Sequence, residues 1–228
     1  MKNKKASNIY KVKFILVGDA FVGKTNIFYR YMKGEFSKEL ASTISVEFDV
    51  QTIQVNDVIF KLQLWDTAGS EKFRSIVRGY YADSACCLLV YDITNEKSFD
   101  SLDYWIEECN NNGNKNIVMI LIGNKCDKDK ERQIEETNGE FIAERYGMKF
   151  FEASALTGYN IKEIFEYGCK KIYKNIVNEI YDLDDEGHSC GVERLDKAKE
   201  NNLNPTQEIK FTLERDSIRK KKKKKKFC

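Results

Sequence analysis

The chain has 228 residues, of which 42% are hydrophobic and 32% charged, with a formal net charge of +2. That apolar content excludes a wholly disordered chain, and the length suits one domain with or without an appendage. No apolar run approaches the ~18 residues that span a bilayer, Met1 to Ala6 lead into no secretory signal, and seven Cys without a C-x-x-C pair suit a reducing cytosol. His188 is the only histidine, which argues against His-based triads and His-rich metal sites.

Residues 11–18 (KVKFILVG) read as a strand that turns fully apolar before a glycine-rich turn, and 24–33 (KTNIFYRYMK) have helical spacing. Runs 46–55 and 58–65 flank the turn residues Asn56 and Asp57 and read as an antiparallel hairpin. Apolar strands at 85–91 and 117–122 alternate with helical patterns near 96–111 and 134–146. A short strand at 148–152 and a helix from about 160 to 178 complete the pattern. Buried runs alternating with helices predict an α/β fold, a parallel sheet covered on both faces. Beyond Tyr181 the sequence turns acidic, Asn-rich and poorly periodic, and it holds Pro205, the only proline; this reads as a flexible tether.

Gly18-Asp19-Ala20-Phe21-Val22-Gly23-Lys24-Thr25 fits G-x-x-x-x-G-K-[ST] and sits between a predicted strand and helix. Its glycines let backbone N–H groups turn inward around a phosphate, Lys24 can reach the β- and γ-phosphates, and the Thr25 hydroxyl can ligate Mg2+. Asp66-Thr67-Ala68-Gly69 follows the second hairpin strand, where an Asp can hold a Mg2+ water and a glycine N–H can approach a terminal phosphate. Asn124-Lys125-Cys126-Asp127 follows the run 117–122. A carboxylate at Asp127 can accept both N1–H and N2–H of guanine, a pairing adenine cannot offer. Ser154-Ala155-Leu156 follows the last strand and can present N–H groups to the guanine O6.

These elements in this order resemble the Ras superfamily of small GTPases, and within it the Rab branch, over residues 9–178. Ser42 to Phe48, Lys61 to Gly69, Phe73 to Ile76, Arg78 to Tyr81 and Leu89 to Thr94 look like the segments that set Rabs apart. The resemblance implies a P-loop domain: a mostly parallel six-stranded sheet with one antiparallel edge strand and helices on both faces. It implies a nucleotide site of Ala20, Val22, Gly23, Lys24, Thr25, Asn26, Phe36, Thr43, Gly69, Asn124, Lys125, Asp127, Ser154, Ala155 and Leu156. Mg2+ would be held by Thr25, Thr43 and Asp66, and GTP hydrolysed with Lys24, Thr43, Gly69 and Ser70 around the phosphoryl group. Ile44, Phe48, Trp65 and Tyr80 would form the effector interface, with core packing the alternative for Trp65 and Phe48. The segments around 35–48 and 66–81 would be ordered by the γ-phosphate and released on hydrolysis. Ile53 to Asp57 and Ile117 to Ile120 look most like recycling-endosome Rabs.

Ser70 stands where the family pattern W-D-T-A-G-Q-E has Gln, the residue that orients the attacking water. Serine is too short for that task, so intrinsic hydrolysis slower than the family's is expected; a neutral replacement is the alternative. Phe21 is bulkier than the usual small phosphate-loop residue, and Ser45 replaces a frequent Gly.

Charge sorts the chain further. Residues 1–181 carry 25 basic and 26 acidic side chains, residues 182–218 carry 5 and 10, and Arg219 with Lys220 to Lys226 give the last ten residues +8. The expected organisation is an extension at 1–8, the GTPase domain at 9–178, an acidic tether at 179–218 and a polybasic segment at 219–228. The end, Lys226-Phe227-Cys228, has one cysteine where Rabs commonly have two. One lipid chain beside a polybasic patch is enough for stable anchoring, so Cys228 is the expected lipidation site. A solvated tail or a nuclear or nucleic-acid patch remains open for the lysine run, although no aromatic residue offers bases a stacking platform.

The expected ligands are GTP or GDP with Mg2+. The expected partners are Rab-type effectors, exchange factors, activating proteins, a prenylation escort, a GDP-dissociation inhibitor and an anionic membrane surface, with no nucleic acid and a monomeric chain. The expected place is the cytoplasm, cycling onto endomembranes. A GTP-bound scaffold with little turnover and a soluble nuclear-transport GTPase stay as rivals.

Overall fold

The computed structural model describes residues 8–38, 43, 46–69, 74–181, 183 and 190–195. Among the described residues, seven strands and six α-helices run in the order β1 (Asn8–Val17), α1 (Lys24–Lys33), β2 (Glu47–Val55), β3 (Val58–Asp66), α2 (Arg74–Tyr81), β4 (Cys86–Asp92), α3 (Glu96–Asp100), α4 (Leu102–Asn112), β5 (Val118–Asn124), α5 (Glu136–Arg145), β6 (Lys149–Ala153), α6 (Ile161–Val177) and β7 (Val192–Leu195). The sheet order is β2-β3-β1-β4-β5-β6, with β7 paired to β1. All pairs along that path are parallel except β2–β3, so the predicted hairpin, with Phe48 opposite Trp65, is the antiparallel edge.

Alternation along β1 sorts the core into two layers. Tyr10, Val12, Phe14 and Leu16 pack with Ile27 and Phe28 of α1 and with Ile164, Phe165, Cys169 and Ile172 of α6. Ile15 and Val17 pack with Val77 and Tyr81 of α2, with Trp105, Ile106 and Cys109 of α4, and with Ala143 of α5. All seven residues of β4 are buried, which is why its sequence is apolar from Cys86 to Tyr91 rather than alternating. In α6 the buried positions 161, 164, 165, 168, 169 and 172 form the stripe that faces the sheet.

Three departures from the sequence reading stand out. The helical pattern at 96–111 is two helices, divided at Ser101, whose hydroxyl donates to the Lys97 carbonyl at 2.9 Å. A short helix, α2, forms at 74–81, where no element was expected. The segment read as a tether carries structure: Tyr181 is buried, its hydroxyl donating to the Asn116 carbonyl at 3.2 Å and accepting from Asn175 at 3.1 Å, and β7 joins the sheet.

The chain divides into two compact units, 1–194 and 195–228; Leu195 is the described residue of the second. Ile44, Ser70, Cys228, the 219–228 segment and the 1–7 part of the N-terminal extension lie outside the described residues. None of the described helices is long and apolar enough to cross a membrane.

Candidate functional site

In a doubly wound sheet the crevice opens beyond the carboxyl ends of the strands, where connections diverge to opposite faces. Here the turns that leave β1, β3, β5 and β6 line one cleft of about 550 Å3. Thirteen residues expected at a nucleotide line it: Ala20, Gly23, Lys24, Thr25, Asn26, Phe36, Thr43, Gly69, Asn124, Lys125, Asp127, Ala155 and Leu156. Val22 and Ser154 are fully buried behind the wall, and Phe21 is an additional lining residue.

At one end, β1 delivers the phosphate-type loop and α1 begins at Lys24. The Lys24 ammonium is buried and donates to the carbonyls of Gly18 (2.8 Å) and Asp19 (2.7 Å). Burial pushes its pKa down to about 8, with Asp66 and Asp19 opposing the shift. The Thr25 hydroxyl donates to Asp66 Oδ2 at 2.6 Å and shares a 2.8 Å hydrogen bond with the Thr43 hydroxyl. Burial raises the Asp66 pKa to about 6; the Thr25 bond and Lys24 pull it down, and Glu47 pushes it up.

Asp66 Oδ1 is buried with no hydrogen-bond partner among the described residues. An orphaned carboxylate oxygen beside two hydroxyls is a donor set for a hard cation, so the three expected ligands fit Mg2+. Gly69 closes this end: a Cβ there would lie 2.4 Å from the Asp19 carbonyl carbon and 2.5 Å from the Ala20 nitrogen. A glycine is the residue that lets the loop after β3 touch the phosphate-type loop.

The other end is built of side chains that hold loops together. Asn124 donates to the Val22 carbonyl at 2.8 Å and accepts the Ala155 N–H at 3.3 Å, tying the first loop to the loop after β6. Lys125 donates to the Phe21 carbonyl at 2.9 Å and forms an ion pair with Asp92 at 2.6 Å. Asp127 accepts from the Ser154 hydroxyl, so Ser154 positions the carboxylate rather than reaching the cleft. The fragment Asn-Lys-x-Asp thus divides its labour: two residues staple, and Asp127 is left to face the cleft.

Three contributors were missed from the sequence. Arg30, which shares the last turn of α1 with Lys33, donates to the carbonyls of Ala155, Leu156 and Gly34, each at 2.7 Å. Asp19, a free position of the motif, accepts from the Trp105 indole at 2.8 Å. Thr67 donates from a buried hydroxyl to the Leu16 carbonyl at 2.6 Å. Spacing in the chain carries no signal for any of these pairs.

On the flank of the sheet, Phe48 meets Trp65 with ring centroids 4.6 Å apart, and Trp65 meets Tyr80 at 5.1 Å. Trp65 is buried, while Phe48 and Tyr80 stay half-buried at the surface. The trio spans β2, β3 and α2.

The family model described as "Ras family" matches residues 13–174. The chain is 40% identical to the Ras-related protein Rab-2B of Dictyostelium discoideum over 82% of its own length and 92% of that protein. It is 42% identical to Rab11A of Lotus japonicus over 75% of each, and 36% identical to human Rab-8B over 90% and 97%. Comparable identity to three differently numbered Rabs singles out none of their subgroups. With the loop, cleft and sheet order in place and that extent of match, the chain belongs to the Ras family, in its Rab branch.

Proposed function

We propose that this Rab-family GTPase is a guanine-nucleotide switch of vesicle trafficking, which binds GTP or GDP with Mg2+ and recruits effectors to a membrane surface in one nucleotide state. The observation that carries this reading is the asymmetry of one cleft: Lys24 and the Thr25–Thr43–Asp66 oxygens at one end, Asp127 at the other. A triphosphate's negative charge answers the buried Lys24, and the guanine N1–H and N2–H answer the remaining acceptor capacity of Asp127. Bound Mg2+ would be held by Thr25, Thr43 and Asp66 and would neutralise charge developing on the phosphoryl oxygens.

In this reading Lys24 holds the β- and γ-phosphates, and Gly69, packed on Asp19 and Ala20, carries its N–H toward the γ-phosphate. Thr43 would hold the metal only while the γ-phosphate is present. Ser70 leaves the attacking water unheld, so intrinsic turnover is slow and an activating protein supplies the missing groups, an arginine alone contributing about 10³–10⁵ in rate. An exchange factor opens the cleft for GDP to leave. Cys228, together with Arg219 and Lys220 to Lys226, anchors the protein to anionic cytoplasmic leaflets, each basic residue adding about 1 kcal/mol.

The test is nucleotide binding by the full chain. Fluorescent GDP should bind tightly in Mg2+, fluorescent ADP should not compete, and Asp127→Asn should weaken GDP by roughly 10²–10³, the loss of a paired charge-assisted contact. Equal competition by ADP would overturn the guanine assignment. Single-turnover hydrolysis that does not accelerate in Ser70→Gln would overturn the role given to Ser70.

A further inference from the structure

β3 pairs with one edge of β1 from Asn8 to Leu16, but β4 reaches the other edge only from Phe14 onward. The half-edge from Asn8 to Lys13 would present unpaired backbone groups, and β7 covers it. The Lys13 N–H donates to the Gly191 carbonyl at 3.0 Å, and the Lys13 carbonyl accepts from Ala85 at 2.8 Å. Lys11 forms a 2.7 Å ion pair with Glu193, and Arg194 donates to Asn8 Oδ1 at 3.3 Å, so the segment runs against β1. Asn114 pins the entry, its amide donating to the carbonyls of Ser84 (2.5 Å) and Cys190 (3.3 Å).

The seat is shaped for this segment. Gly191 has φ +73°, and a Cβ on it would lie 2.2 Å from the Ala85 nitrogen and 2.4 Å from the Ser84 carbonyl carbon. Those are backbone atoms of the turn into β4, which has no room to retreat. Val192, next in line, is buried in the layer under α1 and α6. A tight glycine followed by a core valine is a specific fit, unlike the surface drape expected of an acidic tether.

The residue that receives the segment has a second role. Lys13 is buried, its ammonium donates to the Tyr80 carbonyl at 2.9 Å, and it stands 5.1 Å and 5.4 Å from the ring centroids of Trp65 and Tyr80. One residue therefore carries the docked segment on its backbone and two members of the aromatic trio, Trp65 and Tyr80, on its side chain.

We propose that the half-edge of β1 is a strand-docking site whose ligand is the chain's own segment 190–194, and that its occupancy braces Lys13 beneath Trp65 and Tyr80. The start of the C-terminal segment and the aromatic surface are then thermodynamically linked: what stabilises one arrangement of the trio stabilises the docked strand, and the reverse. The docking stands on the contacts above; the description of the trio as an effector surface rests on the function proposed for the chain.

Gly191→Val in the full chain, with GDP and Mg2+ in the buffer, is the release variant, and Glu193→Lys, which repels Lys11, is a milder one. Hydrogen exchange at the Lys13 amide should rise about tenfold or more in Gly191→Val, the loss of one or two net hydrogen bonds, and less in Glu193→Lys. The Trp65 indole resonance should shift in both, while amides of β5 keep their protection as a control for intact folding. Unchanged Lys13 exchange in both variants would overturn the docking site. Faster Lys13 exchange with an unmoved Trp65 resonance would overturn the coupling. GDP affinity, measured alongside, separates this from the nucleotide assignment: a chain that fails to bind GDP yet shows both changes sinks the proposed function and leaves the docking intact.

Discussion

The two ends of the cleft are built on opposite plans. At the phosphate end, charges are buried short of partners: Lys24 is pushed down to about 8, Asp66 is pushed up to about 6, and one Asp66 oxygen has no partner among the described residues. At the base end, Asn124, Lys125, Ser154 and Arg30 are each bonded to another loop. The first end is completed by what it binds; the second is assembled beforehand. A ligand that supplied a phosphate and a cation would relieve the desolvation of the first end, while the second fixes the position of Asp127 at no cost during binding.

Substitutions should separate the two plans. Lys24→Met is expected to lower GDP affinity by about 10³ or more, since a charge-assisted phosphate contact is lost. Its nucleotide-free stability should change by no more than about 1 kcal/mol, because relief from burying the ammonium offsets two lost hydrogen bonds. Titration of fluorescent GDP and thermal melts of the nucleotide-free chain read the two effects separately.

Asn124→Ala should strike both quantities. It leaves the Val22 carbonyl and the Ala155 N–H buried without a partner, a loss of about 2–4 kcal/mol in stability, and it should weaken GDP by roughly 10² as the loops separate. Should it weaken GDP while leaving the melting temperature alone, the base end would not be preassembled.

How much of this was legible beforehand divides along the same line. The phosphate end is a local motif: Gly18 to Thr25 are contiguous, and backbone geometry over eight residues dictates what they do. The base end depends on which loop faces which, so Asn124 and Lys125 were readable as members of a pattern but not as staples. Arg30 lies 125 and 126 positions from two of the carbonyls it binds, a separation at which chain spacing says nothing. The parallel sheet covered on both faces followed from alternating buried runs and helices, whereas β7 is four residues in an acidic stretch, too short for a period to show.

Arg30→Met tests that missed link at a smaller scale. It should speed GDP dissociation about tenfold, the equivalent of one net hydrogen bond lost from the loop that carries Ala155, and stopped-flow displacement would show it. An unchanged rate would mean that the loop after β6 keeps its position without the guanidinium.

The smallest effect is expected at Phe21, which is 71% exposed on the cleft rim and holds φ +65°. An aromatic residue in the left-handed region is strained, so Phe21→Gly should raise stability by about 1 kcal/mol, or 2–4 °C in Tm, after the greater freedom of glycine in the unfolded chain is subtracted. A lower Tm would show that the ring makes compensating contacts.

The loop after β1 has one more property. Its carbonyls at Gly18 and Asp19 accept from Lys24, that of Phe21 from Lys125, that of Val22 from Asn124 and that of Gly23 from the Ile27 N–H. Five of the six consecutive acceptors from Gly18 to Gly23 are consumed by donors from inside the protein. Backbone polarity is thereby biased: a group approaching this wall finds most of its carbonyls already engaged, which tilts the lining toward giving hydrogen bonds. Such a wall favours species rich in lone pairs over those that bring protons of their own, a bias set by the backbone before any side chain reads the rest of the ligand.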